Sequence, residues 1–221
     1  VSKAPIPPHL LTLRELQWEQ ARRDPLAFLS MFAYTLDQHD SVQPVKAFPA
    51  ERPHLQHLTR LWQDNPCLVI CKSRQMLCTW LFVGLALWDA MFHRGRLIIL
   101  QSKRQDDAIG NRVAGDGLLG RAGFILDHIP GGRVLCPPSR SVFDKIEFPT
   151  LNSTIWAIPQ GEDIIRQRTA SGILADEAGF QDEFEGAYTA ARPCIRGGGW
   201  YVALSTANPG FFQKLYADGV E

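Results

Sequence analysis

The sequence has no surplus of either charge. In 221 residues, 23 lysines and arginines stand against 23 aspartates and glutamates, for a formal net charge of zero. No global basic field therefore announces a nucleic-acid partner. Cysteine is sparse, with five residues at positions 67, 71, 78, 136 and 194. The count is odd and no pair has the C-x2-C spacing of a zinc site, so the reading is of free thiols in a reducing compartment. The longest nearly apolar run, Met76 to Trp88, is shorter than the roughly 20 residues that span a bilayer. No signal-peptide pattern, internal repeat or low-complexity segment is visible.

What remains is the profile of a packed α/β domain, or of one such domain with a small appendage. Hydrophobic residues make up 45% of the chain, enough for a sizeable core. Arginine outnumbers lysine, a tilt that suits bidentate contacts with phosphate or carboxylate.

Residues 1–8, with three prolines, predict a loose arm. A polar helix is expected over Leu13–Arg23. A capped helix is expected over Asp24–Asp37, with Asp24 as N-cap and Pro25 at the first helical position. Gln43–Pro53 reads as a proline-punctuated connector, and His54–Gln63 has helical apolar spacing at Leu55, Leu58, Leu61 and Trp62. From there strands and helices alternate: strand Leu68–Cys71, apolar helix Thr79–His93, strand Arg96–Ser102, then a polar helix in "KRQDDAIGNRVAG". "PGGRVLCPPS" reads as loop, and Lys145–Gln160 as a hairpin turning near Leu151–Ser153. Two further strands close the pattern, in Ser171–Phe180 and Gly199–Phe212. This alternation predicts a largely parallel sheet covered on both faces.

Three of the expected strands end in polar cargo, and in open α/β sheets ligands sit outside the carboxyl ends of strands. After the first strand comes "KSRQMLCT" (Lys72, Ser73, Arg74, Gln75, Met76, Leu77, Cys78, Thr79). It supplies cations and a hydroxyl beside a helix N-terminus, the donor types that a Mg²⁺-bound phosphate needs. The plain alternative is a strand, a polar turn and a core helix. The apolar run "GILADEAGF" ends in Asp176 and Glu177, suited to a Mg²⁺ shell and to polarising water; the alternative is a solvated loop. "ALSTANPGFF" places Ser205, Thr206 and Asn208 after the last strand, where a turn rich in Ser, Asn, Pro and Gly reads equally well.

Taken together, these segments resemble the ATPase domain of the large terminase subunit, the motor that packages DNA into tailed-phage and herpesvirus capsids. "CKSRQMLCT" looks like that family's deviant Walker A, "GILADEAGF" like its Walker B with catalytic glutamate, and "LSTANPGFFQKLY" like its third motif. "FLSMFAYTLD…VKAFP" and the helix around Gln56 resemble its N-terminal region. The match runs from about residue 25 to 216. Leu77 and Cys78 stand where many relatives have Gly and Lys, and Asn208-Pro209-Gly210 departs slightly from the common third motif.

The resemblance implies an α/β P-loop NTPase of the ASCE type, with a mainly parallel central sheet flanked by helices and a small N-terminal helical region. Residues 1–50 would form the arm and helical region, and 51–221 the ATPase core. It implies that Lys72 and Arg74 neutralise phosphate, that Thr79 and Asp176 hold Mg²⁺, and that Glu177 activates water on ATP. Gln56 would contact the base, and Ser205, Thr206 and Asn208 would couple hydrolysis to motion. Arg166 and Arg168 lie where relatives carry an arginine finger that completes a neighbour's site in a ring. The implied partners are double-stranded DNA, the portal protein and the small terminase subunit, in the host cytoplasm at the procapsid portal, with no membrane. The nuclease domain that follows in the family is absent from this chain, so no DNA cleavage is expected. Two other readings stay open: a helicase-like P-loop ATPase, and a nucleotide-binding scaffold that does not hydrolyse.

Overall fold

The computed structural model describes residues 8–219; the expected arm lies outside them except for Pro8, which opens the first helix. That helix, α1, spans Pro8–Arg23, and α2 spans Pro25–Phe32. Asp24 caps α2 as the sequence predicts, accepting a hydrogen bond from the Leu26 backbone N–H (2.9 Å). The helix then stops five residues earlier than expected. Tyr34–Leu36 forms a strand, β1, that pairs antiparallel with β2 (Val45–Ala47), in the segment expected to be a connector.

The chain continues through α3 (Pro53–Asp64), β3 (Cys67–Cys71), α4 (Cys78–Phe92), β4 (Leu97–Gln101), α5 (Gln105–Ile109) and α6 (Leu118–His128). A short α7 (Gly132–Leu135) interrupts the expected loop. The antiparallel strands β5 (Arg140–Val142) and β6 (Lys145–Phe148) lead into β7 (Ser153–Ile158). After α8 (Asp163–Gln167) come β8 (Gly172–Ala175), a 3-10 turn at Ala178–Phe180, α9 (Phe184–Arg196), β9 (Trp200–Ser205) and α10 (Phe211–Asp218). The expected polar helix after β4 shrinks to five residues, because glycines at 110, 115 and 117 adopt positive φ and turn the chain into α6.

The seven-stranded sheet runs in the order β3-β9-β8-β4-β7-β6-β5. The first five strands are mutually parallel, and β6 and β5 extend the sheet antiparallel. Alternation along single strands shows that both faces are covered. Ile98 and Leu100 of β4, and Val202 and Leu204 of β9, join the core under α1, α2, α4 and α6. Their neighbours Ile99, Tyr201 and Ala203 join a second core under α8, α9 and α10. Helix α4 is buried from Trp80 to Met91, which its apolar sequence on every side requires. The N-terminal helices dock on it, with the Trp18 ring 4.8 Å and the Phe28 ring 5.9 Å from Phe92.

The five cysteines are free, and no helix among the described residues is long and apolar enough to cross a membrane.

Candidate active site

The strand order sets β9 between β3 and β8, so the three polar strand ends meet at one edge of the sheet. In register, Cys71 lies opposite Ser205 and Ala175 opposite Ala203. The Lys72 backbone N–H donates to the Ser205 carbonyl (2.9 Å), tying the first loop to the third.

The loop from Lys72 to Leu77 reaches α4 without glycine. Gln75 (φ 60°) and Leu77 (φ 58°) adopt the left-handed conformation, which costs a residue with a Cβ about 1–3 kcal/mol. Leu77 packs partly against the main core, which offsets some of that cost. The loop thus makes the turn that glycine usually provides and leaves Thr79 in the first turn of α4.

The Thr79 hydroxyl donates to Asp176, lying 3.2 and 3.3 Å from its two carboxylate oxygens across 97 residues of sequence. Lys72 Nζ meets Glu177 Oε1 at 3.2 Å across 105 residues. Glu177 itself is in the left-handed region (φ 49°, ψ 40°), turning the chain sharply after β8. Burial pushes the Asp176 carboxyl above its ordinary pKa, against the pull of Lys72. Burial likewise raises the Cys78 thiol, at the first position of α4.

The third cluster grips the turn that follows Glu177. The Gly179 N–H donates to Ser205 Oγ (3.0 Å), and Asn208 Nδ2 donates to the Gly179 carbonyl (2.6 Å). A Cβ on Gly179 would stand 2.8 Å from Ser205 Oγ, so glycine is what permits this approach. Thr206 follows, half-buried, with Ala207 beyond it.

A cavity of about 610 Å³ opens in front of this edge. Lys72, Gln75 through Thr79, the β1–β2 hairpin, Arg52 and Arg121 all line it. Ser73 and Arg74 are exposed and outside its lining. Gln56 also lies off the cavity, where its side chain donates to the Glu51 carbonyl at 3.4 Å. Arg166 and Arg168 line a different cavity of about 400 Å³ together with Cys194. Arg166 pairs with Glu162 (2.7 Å), and the Arg168 guanidinium lies 5.8 Å from the centre of the Trp156 ring.

The sequence reading missed Gln101, Gln181 and Arg121. Gln101, buried at the end of β4, accepts the Asp176 N–H through its carbonyl (2.9 Å), and its side chain donates to Gly161 O (2.9 Å). Gln181 Nε2 donates to the Asp176 carbonyl (2.9 Å). Gln101 closes β4 and Gln181 follows the turn after β8, and their nearness to strand ends was the available signal. Arg121 follows no strand and gave none.

The donor set fits a magnesium ion: a hydroxyl and a carboxylate, both hard oxygens, face each other at a helix N-terminus with a lysine nearby. Among the described residues no cluster of three or more His, Cys, Asp or Glu forms a metal cage. Such an ion would therefore be shared with ligand oxygens and water, as magnesium commonly is.

A mostly parallel sheet flanked by helices, with a loop-to-helix turn on one strand, paired acids on a second and a polar loop on the strand between them, is an α/β arrangement consistent with a P-loop fold. Comparison with solved structures narrows this to the fold of phage large terminase ATPase domains. The chain superposes on the crystal structure of the HK97 bacteriophage large terminase with a TM-score of 0.63 and 16% identity, covering 89% of this chain and 40% of that one. Two structures of the large terminase ATPase domain of Thermus phage P74-26 match with TM-scores of 0.55 and 0.52 at 14% and 15% identity. They cover 76% and 71% of this chain and 70% and 66% of theirs. The chain thus spans less than half of the HK97 protein. No family model matches the sequence, and none of the curated proteins matches it.

Proposed function

We propose that this chain is an ATPase motor domain of viral DNA packaging, which hydrolyses ATP with Mg²⁺ to move double-stranded DNA into a procapsid. The observation that carries the reading is the meeting of Thr79 with Asp176 and of Lys72 with Glu177 at the carboxyl edge of three adjacent strands. When bound, Mg²⁺ would neutralise developing charge on the phosphates; Thr79 and Asp176 are the residues to hold it. Lys72 screens phosphate charge, for which it exchanges its Glu177 partner for the ligand. Glu177, so released, takes the proton of the attacking water as general base. Ser205 and Asn208 hold the Gly179 turn next to Glu177, so a shift at the acid pair is passed to β9 and α10. A ring of copies working with a portal protein and small terminase subunit at the procapsid completes the proposal, with Arg166 or Arg168 reaching a neighbour's site.

The test is ATP turnover at high protein concentration, beside the Glu177→Gln variant. Removing a general base is expected to lower turnover by about a hundredfold to ten-thousandfold while nucleotide binding persists. Turnover unchanged in Glu177→Gln would overturn the assignment, and nucleotide bound without any turnover would favour a scaffold.

A further inference from the structure

Arg121 sits in the first turns of α6, on the wall of the same cavity that Lys72 and Thr79 line. Its guanidinium lies 5.6 Å from the centre of the Trp80 ring. Its Nε is buried with no hydrogen-bond partner among the described residues. The acids it feels are Asp176 and Asp116, and neither forms an ion pair with it among the described residues. Asp116 is exposed and its carboxylate already accepts the Asn111 backbone N–H. Burial draws the Arg121 pKa down, yet a guanidinium keeps its charge under any ordinary condition. The residue is half-buried, and a cation whose Nε–H is buried and idle is costly until an anion meets it. The planar fork matches phosphate oxygens two at a time.

We propose that Arg121 is a phosphate-binding residue of this site, contacting the terminal phosphate of a Mg²⁺-bound nucleoside triphosphate from the α6 side. The proposal rests on the ATPase reading above and adds a residue to it. The terminal phosphate is the target because Arg121 shares the cavity wall with Thr79, whose hydroxyl meets the Asp176 carboxylate. Arg121 thereby adds a cation to the wall that Lys72 lines, whereas Arg74 is exposed and outside that lining. The guanidinium already lies over the Trp80 ring of α4, so less side-chain freedom is lost on binding.

The experiment is calorimetric measurement of ATP and ADP affinity, both with Mg²⁺, for the wild-type chain, Arg121→Ala and Arg121→Lys, with the melting temperature of each free protein. Arg121→Ala is expected to weaken ATP by about 10- to 100-fold, the size of a lost hydrogen bond to a charged group, and ADP by about threefold at most on the same scale. Arg121→Lys keeps the charge and loses the fork, so it lands between wild type and alanine; it also serves alone if the alanine variant does not fold. An ATP-to-ADP affinity ratio unchanged in both variants, with only the melting temperature moved, overturns the proposal and leaves Arg121 a structural residue. Failure of the wild-type chain to bind either nucleotide overturns the ATPase reading and this proposal with it.

Discussion

Two aspartates are buried at opposite ends of this sheet, and they are answered very differently. Asp89, 3% exposed in the last turns of α4, meets His93 Nδ1 and Arg96 Nε, each at 3.0 Å, and accepts from Trp200 Nε1 at 2.9 Å. The Arg96 contact is an ion pair by distance rather than an aligned hydrogen bond, since its Nε–H finds no acceptor in line. Asp176, 8% exposed at the end of β8, receives the Thr79 hydroxyl and no cation within ion-pair distance among the described residues, because Lys72 goes to Glu177. One helix touches both acids, with Thr79 in its first turn and Asp89 in its last. A saturated buried carboxylate holds elements together. An unsaturated one raises the energy of the free protein and waits for a ligand.

The contrast breaks most sharply by removing each acid. Asp89→Ala leaves His93, Arg96 and the Trp200 N–H without their anion, and losing one partner of a buried pair costs about 3–5 kcal/mol. At about 2–4 °C per kcal/mol for a chain of this size, thermal unfolding should fall by roughly 10 °C, with nucleotide affinity little changed in whatever remains folded. Equal stability in Asp89→Ala would show that the His93, Arg96 and Trp200 contacts do not stabilise the fold through Asp89.

Asp176→Asn should move the other way. Its folded pKa is raised by burial, so the folded state holds that proton more tightly than the unfolded chain does. The stability it contributes is full below the ordinary carboxylate pKa and is lost as pH rises through the raised value. At neutral pH the ionised Asp176 is therefore a liability, and Asn should raise the melting temperature of the nucleotide-free chain, while Mg²⁺-dependent nucleotide binding is lost. The gap between variant and wild type should close as pH falls to the carboxylate range. A melting temperature that drops in Asp176→Asn, or a gap that does not depend on pH, would erase the distinction between the two acids.

How much of this was legible beforehand follows the same division. The strand ends announced themselves, because short apolar runs broke into Lys72, Asp176–Glu177 and Ser205 where a buried strand has no use for them. The hairpin β1–β2 did not, since Tyr34–Leu36 carries on the apolar run of α2 without a break, and only pairing with Val45–Ala47 makes it a strand. Leu77 looked like a defect because a left-handed turn is written in glycine by default; packing of its side chain lets a branched residue stand there. Arg121 was invisible for a different reason. Helix α6 starts at Gly117 with no side-chain cap, and a single arginine in an apolar helix has no periodic or motif signature. Its meaning arises only where α6 packs on α4 beside Trp80.

The smallest stability effect should come from Arg166, and that is what makes it informative. Its pair with Glu162 spans one helical turn at the surface, with side chains 57% and 31% exposed, so it is worth about 0.5 kcal/mol or less. Arg166→Ala should melt within about 1–2 °C of wild type. Any larger loss of turnover then reflects function rather than folding. Arg168 is less free, held over the Trp156 ring that Lys145 also caps at 4.3 Å, so Arg166 is the arginine expected to act on a neighbour. Mixing Arg166→Ala with Glu177→Gln decides it. Each subunit then supplies what the other lacks, and turnover should return at those interfaces where an intact Glu177 site faces an intact Arg166. A mixture as inactive as its components, from proteins shown to assemble, would confine Arg166 to its surface pair with Glu162.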